Sequence, residues 1–328
     1  MKDMMPNFNL VQPADLAGAI TTLADAGENG WAMAGGQDSL DWFKDRVKRP
    51  TTVVDLSGIP GLTGVTETAD GGVEIGAMTT LTDVENNDLV KSKFGLLSKA
   101  AGRVASPQIR NKGTLGGNIS QDARCWYYRS GLDCYRAGGN TCYADTPEGM
   151  NREHCLFGAS RCVAVTPSDT AVTAVTLEAS MVIEGPAGER IVAAEDYFIG
   201  PAINIEKMTV LEDGEILKSI RIPGKWANAQ FFFEKVADRN TWDFPLVNMA
   251  SAMKLSGGVI EDIRLTCGAV ECVPKRLNVV EEIVKGSAPN EETAELGAGA
   301  ASRGASPLNY NHFKVPLMEN LVKKAIRG

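Results

Sequence analysis

Five of the chain's seven cysteines lie between Cys125 and Cys162, spaced C-x8-C-x7-C-x12-C-x6-C, directly after the glycine-rich run Gly113-Thr114-Leu115-Gly116-Gly117-Asn118. A redox metal site beside a nucleotide site is the chemistry this pairing suggests. The paired C-x2-C knuckles of a zinc ribbon or finger are missing, so zinc is not favoured. Four thiolates gathered by irregular loops suit an iron–sulfur cluster. The cube is bulky, all-sulfur ligation matches soft iron, and flexible segments must wrap around it. Arg136-Ala137-Gly138-Gly139-Asn140 and Thr146-Pro147-Glu148-Gly149 are turn material of that kind. One of the five cysteines is surplus. Cys155 follows His154 and precedes Leu156-Phe157, so it is expected to be packed, leaving Cys125, Cys134, Cys142 and Cys162 as ligands. The competing reading of the same spacing is disulfides or buried free thiols. For Cys267 and Cys272, set in the apolar stretch 265–273, burial is the expectation. His154 is placed to tune or replace a ligand, although a plain loop histidine is the simpler reading.

A second glycine pair stands in Ala34-Gly35-Gly36-Gln37-Asp38-Ser39-Leu40. Neither run matches G-x-G-x-x-G or a Walker A sequence, so the two commonest nucleotide folds lose support. Two loops with exposed backbone N–H groups and no Cβ in the way can clasp one pyrophosphate from opposite sides. A dinucleotide is then the natural ligand. Gln37, Asp38, Ser39, Thr114 and Asn118 would add hydrogen bonds to phosphates, ribitol or the loop itself. A lone Gly-Gly pair reads as a tight turn; two of them, one adjoining the cysteines, favour a ligand.

These residues need a scaffold, and 328 residues at 44% hydrophobic and 23% charged content allow two or three domains with a sizeable core. A net charge of −8 argues against a nucleic-acid partner held by its phosphates. The odd cysteine count and the absence of an apolar signal core or a membrane-length apolar run lead to a cytoplasmic expectation. A periplasmic site would require export with a signal-bearing partner. The periodicity predicts a helix over 13–27, a strand ending at Met33, strands at 53–56 and 73–77, and a helix over 94–105 ending before Pro107. After the cysteines come a strand at 163–165 and a helix capped by Ser168 or Asp169. Strands at 181–184, 191–192, 215–222, 229–236 and 249–255 follow. Helices at 277–284, 291–303 and 315–326 close the chain, and Pro223-Gly224 is the clearest candidate boundary.

With these motifs in view, the chain resembles the FAD-binding medium subunit of the molybdenum hydroxylase family, which contains xanthine, carbon monoxide and aldehyde dehydrogenases. The resemblance spans nearly the whole length. It rests on the loop from Ala34 to Leu40, on Ile75-Gly76-Ala77-Met78-Thr79, on Gln108-Ile109-Arg110-Asn111-Lys112 running into the second glycine loop, and on Ser219-Ile220-Arg221-Ile222-Pro223. The insertion from Cys125-Trp126-Tyr127-Tyr128 through Arg161-Cys162-Val163-Ala164-Val165 is similar to that of a subgroup, the 4-hydroxybenzoyl-CoA reductase β subunit and a periplasmic aldehyde oxidoreductase flavin subunit, which carries an extra [4Fe–4S] cluster.

The resemblance implies an α+β chain. A two-subdomain FAD-binding fold of the PCMH or vanillyl-alcohol-oxidase type would fill 1–223, with subdomains about 1–57 and 58–223 and a cluster loop at 122–165; a small α/β C-terminal domain would fill 224–328. It places Ala34, Gly35, Gly36, Gln37, Asp38, Ser39, Leu40, Thr114, Gly116, Gly117 and Asn118 at a non-covalent FAD, both Gly-Gly pairs holding the pyrophosphate. Leu217 would lie near the flavin and Lys235 at the isoalloxazine edge, where a fixed cation stabilises the charge arriving with electrons. The family's acidic flavin contact after Asn118 falls where the insertion begins, and Asp122 stands there. The implied function is an oxidoreductase's electron-transfer subunit, inactive alone. It would link the [2Fe–2S] clusters of a small subunit, and a large molybdenum-cofactor subunit, to an external acceptor or donor. The rivals are a stand-alone FAD oxidoreductase, for which no general base is evident, and a metal-stapled assembly subunit.

Overall fold

β1 (Asn9–Val11), β2 (Gly30–Met33) and β3 (Thr52–Asp55) pair in the order β1-β3-β2, all parallel. Parallel strands need crossovers: the helix Leu16–Ala26 carries the chain from β1 to β2, and the helix Ser39–Lys44 carries it from β2 to its neighbour β3. Asp15 caps the first of these by accepting the Gly18 N–H at 2.8 Å, and Gly27 ends it at a φ of 52°. Its Ala19, Ile20 and Leu23 bury against Val54 and Leu56. This sheet opens a computed structural model that describes residues 4–327.

β4 (Val65–Glu67), β5 (Val73–Gly76), β6 (Ser180–Gly185), β7 (Gly188–Ala193) and β8 (Ile216–Ile222) form an antiparallel sheet in the order β4-β5-β8-β6-β7. Between β5 and β6 the chain lays down helices Gly95–Gly102, Leu115–Ile119 and Asp169–Thr176, together with the cysteine loop. Phe94, Ala100, Ala101, Val172 and Val175 from this excursion share one core with Ile75, Met181 and Ile220 of the sheet.

β9 (Gln230–Val236), β10 (Val247–Ser256), β11 (Val259–Gly268) and β12 (Lys275–Arg276) make a third, antiparallel sheet in the order β12-β11-β10-β9. Helices Asn278–Val284, Glu291–Ala301 and Lys314–Arg327 cover one face. Phe233, Ala250 and Ala252 join the core of the five-stranded sheet on the other. Coverage on both faces explains why β10 reads as a nearly continuous buried run from Val247 to Met253.

One expectation changes here. No strand forms at 163–165: the Val163 carbonyl accepts from Cys155 N–H at 2.9 Å, while Thr166 N–H turns to Glu271 O at 3.0 Å, so this backbone bonds loops on opposite sides. The chain around Pro223-Gly224 is closely packed. Trp226 is fully buried with its indole N–H on Glu178 at 2.8 Å, and a Cβ on Gly224 would lie 2.1 Å from Asp70 O.

Candidate functional site

The first glycine loop leaves β2 and enters the helix Ser39–Lys44; the second enters the helix Leu115–Ile119. They touch. A Cβ on Gly35 would lie 2.0 Å from the Lys112 carbonyl oxygen, so only glycine permits this approach. Gly36 adopts a φ of 75°, which side chains rarely tolerate. The second loop is sewn to the end of β5 by Leu115 N–H on Thr79 O at 2.9 Å and Gly116 N–H on Ala77 O at 2.8 Å. Thr114 Oγ1 accepts the Gly117 N–H at 3.1 Å. A Cβ on Gly117 would come within 2.9 Å of that hydroxyl and 3.4 Å of Ala34 Cβ, filling the space between the loops.

That space belongs to a cavity of about 460 Å³. Ala34, Gly35, Gly36, Gln37, Asp38, Ser39, Thr114, Gly117, Asn118 and Lys235 all line it. Leu40, Gly116 and Leu217 do not. Leu40 packs against the cluster of Trp42 and Phe43. Gly116 is a close-packing glycine, since a Cβ there would lie 2.6 Å from Ala77 Cβ. Leu217 sits opposite Ile183 in the β8–β6 pairing and is buried in the main core.

Several lining side chains are already committed. Asp38 accepts from Arg124, from Arg129 at 2.9 Å and from the Trp42 indole at 3.0 Å, so it braces the loop. Ser39 Oγ accepts the Trp31 indole N–H at 2.9 Å. Asn118 Oδ1 accepts from Ser168 at 2.8 Å and Thr170 at 2.6 Å, which orients its amide. Lys235, almost fully buried, donates to Asp169 Oδ2 at 2.6 Å and to Arg103 O at 3.0 Å, and Asn248 donates to the other Asp169 oxygen at 2.8 Å. Burial pushes the Asp169 carboxyl upward while Lys235 and Asn248 oppose it. Sequence reasoning saw Asp169 only as a helix cap. Ser168 is the cap, accepting Ala171 N–H at 3.0 Å, and nothing local marks Asp169 as the partner of a lysine on β9. Ala105 and Trp242 also line the cavity, with φ of 43° and 74°, joined by Trp242 N–H on Ala105 O at 2.9 Å. Strained backbone of this kind gathers at ligand sites.

Arg124 lines this cavity, and the next residue opens a second site. Cys125, Cys134, Cys142 and Cys162 line one small cavity with Tyr127, Tyr128 and Arg136. Cys155 does not line it and packs with Ala144 and Val163. All seven cysteines are free thiols, so the disulfide reading falls. No group of three or more His, Cys, Asp or Glu among the described residues is arranged to hold a metal ion. Burial pushes the Cys125 thiol up to about 11 and that of Cys155 to about 12. His154 is buried, which with the nearby Lys314 charge lowers its pKa to about 4. Asp122 also lines the larger cavity, but its carboxylate is engaged by Arg136 at 3.0 and 3.1 Å and by the Tyr128 hydroxyl at 3.3 Å, at the base of the cysteine loop.

The family model for the FAD binding domain in molybdopterin dehydrogenase matches residues 6–225. The chain belongs to this family. The CO dehydrogenase flavoprotein C-terminal domain matches residues 232–328 of this flavin subunit, so the expected α+β order of a FAD-binding domain and a small C-terminal domain is the observed one. The subunit is 30% identical over 304 residues to the aldehyde oxidoreductase FAD-binding subunit PaoB of Escherichia coli K12, covering 90% of this chain and 89% of that protein. It is 27% identical to the carbon monoxide dehydrogenase medium chain of Hydrogenophaga pseudoflava, covering 98% and 97% of the two chains. The structure of the Hydrogenophaga carbon monoxide dehydrogenase superposes with a TM-score of 0.79 at 27% identity over 98% of this chain and 97% of that one. Quinoline 2-oxidoreductase from Pseudomonas putida 86 does so at 0.77 and 26% identity over 98% and 96%. This is therefore a FAD-binding medium subunit of the molybdenum hydroxylase family, and its relatives are subunits of oxidoreductases. The two touching glycine loops and the space that Gly117 keeps open fit a dinucleotide's pyrophosphate. Among the described residues, no helix is long and apolar enough to cross a membrane.

Proposed function

We propose that this subunit carries electrons within a heterotrimeric molybdenum-dependent hydroxylase, dehydrogenase or reductase, with FAD between the glycine loops and a [4Fe–4S] cluster on Cys125, Cys134, Cys142 and Cys162. Bound there, FAD supplies exchange between two-electron and one-electron chemistry, and the cluster supplies a one-electron relay. The observation that carries the reading is adjacency: Arg124 is in the wall of the flavin cavity and Cys125 is in the wall of the cysteine cavity.

Cys125, Cys134, Cys142 and Cys162 all line one cavity, and a [4Fe–4S] cube would take one thiolate from each on its four irons. Backbone N–H groups at Gly35 and Gly36 would grip the pyrophosphate, with Gly117 leaving the room for it and Gln37, Ser39, Thr114 and Asn118 beside it. Asp38 holds the first loop to two arginines, and Ala34, Leu40 and Gly116 shape the two loops. Lys235 would face the isoalloxazine with its charge balanced by Asp169. Leu217 would support the site from the core behind it. The substrate would be transformed on a large molybdenum-cofactor subunit, with a small [2Fe–2S] subunit passing the electrons. Relatives named medium chains support such an assembly. So does the site itself: neither histidine lines the flavin cavity, and its buried Asp169 is already paired.

The test is the inventory and reactivity of the purified chain. One FAD, four iron and four sulfide are expected, with dithionite-reduced protein reoxidised by a one-electron acceptor. Rapid bleaching of the flavin by an aldehyde, a purine or an aromatic thioester would make the chain a self-sufficient flavin enzyme. Zinc without flavin would make it a stapled scaffold.

A further inference from the structure

His154 is 4% exposed, and its Nε2 stands 3.3 Å from the Cys125 sulfur. Its Nδ1 is buried with no hydrogen-bond partner. The ring is absent from the lining of the cysteine cavity, so it meets the sulfur from outside. Its backbone is held on both sides. His154 N–H donates to Asn151 O at 3.1 Å. Its carbonyl accepts from Lys314 Nζ at 2.8 Å and Asn311 Nδ2 at 3.0 Å, and Asn311 also donates to Cys155 O at 3.0 Å. Asn151 is itself tied down, donating to Ala144 O and accepting from Tyr310 N–H, each at 3.0 Å. Such anchoring is far more than a loop histidine needs for burial alone.

An imidazole carries at least one ring N–H. On Nδ1 that proton would be a buried donor without an acceptor, and the Nε2 lone pair would face a thiolate. On Nε2 it points at sulfur. We propose that His154 is a positioning residue for the cluster, donating Nε2–H to the Cys125 sulfur and raising the potential at which the cluster accepts its electron; the inference rests on the cluster reading above. Reduction adds one negative charge shared by irons and sulfurs, with no bond broken and no proton moved. A fixed N–H dipole aimed at a ligand sulfur stabilises the reduced form over the oxidised one.

The experiment uses the full chain with its cluster, in three forms: wild type, His154→Phe, which keeps a ring without an N–H, and His154→Gln, which restores a donor. Iron and sulfide are counted, and the midpoint potential is read by titration with electron paramagnetic resonance. In His154→Phe the reduced-to-oxidised ratio at a fixed potential should fall about tenfold, a downward shift of about 59 mV for one electron, with four iron retained. His154→Gln should recover at least half of the shift. An unmoved midpoint in iron-replete His154→Phe overturns the assignment and leaves the cluster reading intact. Wild-type protein without iron and sulfide overturns both. Should His154→Phe not hold a cluster, wild type labelled with ¹⁵N-histidine decides by pulsed resonance: weak coupling relayed through sulfur supports the hydrogen bond, whereas strong coupling of an iron-bound nitrogen, or none, removes it.

Discussion

The flavin cavity and the cysteine loop meet between Arg124 and Cys125, yet they are made of different material. The flavin cavity is bounded by backbone. Its glycine loops are stitched to β2 and β5, and what matters at Gly35, Gly36 and Gly117 is the missing side chain. The cysteine loop is a site of side chains hung on a segment without strands, and it borrows its rigidity from the C-terminal domain. Leu156 and Phe157 both donate their N–H to Val270 O, at 2.7 and 3.1 Å, and their side chains lie in the core of that domain. Ser306 N–H returns a bond to Leu156 O at 2.8 Å, and Asn309 reaches Pro147 O at 2.9 Å. A site of the first kind is broken by adding atoms. One of the second kind is broken by taking them away, even at a distance.

The largest effect should come from filling the flavin cavity. Gly35→Val places carbon against the Lys112 carbonyl, where even a Cβ would lie at 2.0 Å, and Gly117→Val fills the gap beside Thr114 and Ala34. Both should purify with essentially no flavin while keeping their iron. Equal loss of iron, measured alongside flavin absorbance, would mean the two sites are one cooperative unit and erase the contrast.

Removal tests the other side. Alanine at Cys125, Cys134, Cys142 or Cys162 should strip the cluster and spare the flavin. Cys155→Ala, at a residue packed with Ala144 and Val163, should keep four iron and cost about 1–2 kcal/mol in stability. Iron analysis in which Cys155→Ala loses the cluster, and one of the four does not, would reassign the ligands.

Distance is tested by Lys314, which binds carbonyls of the cysteine loop and Ala269 from the C-terminal helix. Burial lowers its pKa to about 8. Below that pH both folded and unfolded states carry the proton, and the cost of burying the charge is present in full. Between pH 8 and the ordinary lysine value of 10.5 the unfolded chain holds the proton that the folded chain has released, so this group makes stability rise with pH. Wild type should therefore gain on Lys314→Met by about 3 kcal/mol across that interval in denaturant unfolding. A constant difference would mean that the lysine is not buried as a charge. The smallest effect is expected for Gln37→Ala, whose side chain makes one long 3.5 Å contact to Gly35 O: flavin affinity should fall less than about threefold by equilibrium dialysis.

How much of this was legible in advance follows from the same contrast. Glycine pairs and clustered cysteines announce themselves by type, because few other residues permit close backbone approach or supply thiolates. The burial of Cys155 was likewise readable, since it sits between His154 and the apolar Leu156-Phe157. The supporting partners were not. Asp169 pairs with Lys235 across 66 positions, and Asp38 is held by Arg124 and Arg129 from inside the cysteine insertion. The strand expected at 163–165 carried the right residue types, but its backbone was claimed by loops on either side. Gly116 and Leu217 look like their neighbours in sequence, yet one is spent on packing against Ala77 and the other on the core.

The sequence by itself determined the family, the α+β order of its domains and the chemical kinds present: backbone nests for a pyrophosphate, and thiols in excess of what packing needs. Those are properties of residue type and short spacing, and they survive without coordinates. Only the tertiary structure decided that the Gly35 loop touches Lys112, that Asp169 neutralises Lys235, and that His154 meets Cys125 while Asn311 and Lys314 hold it in place. Each of those depends on which distant segment arrives at a given surface. That is settled by the burial of whole sheets and helices against one another, which no local pattern encodes.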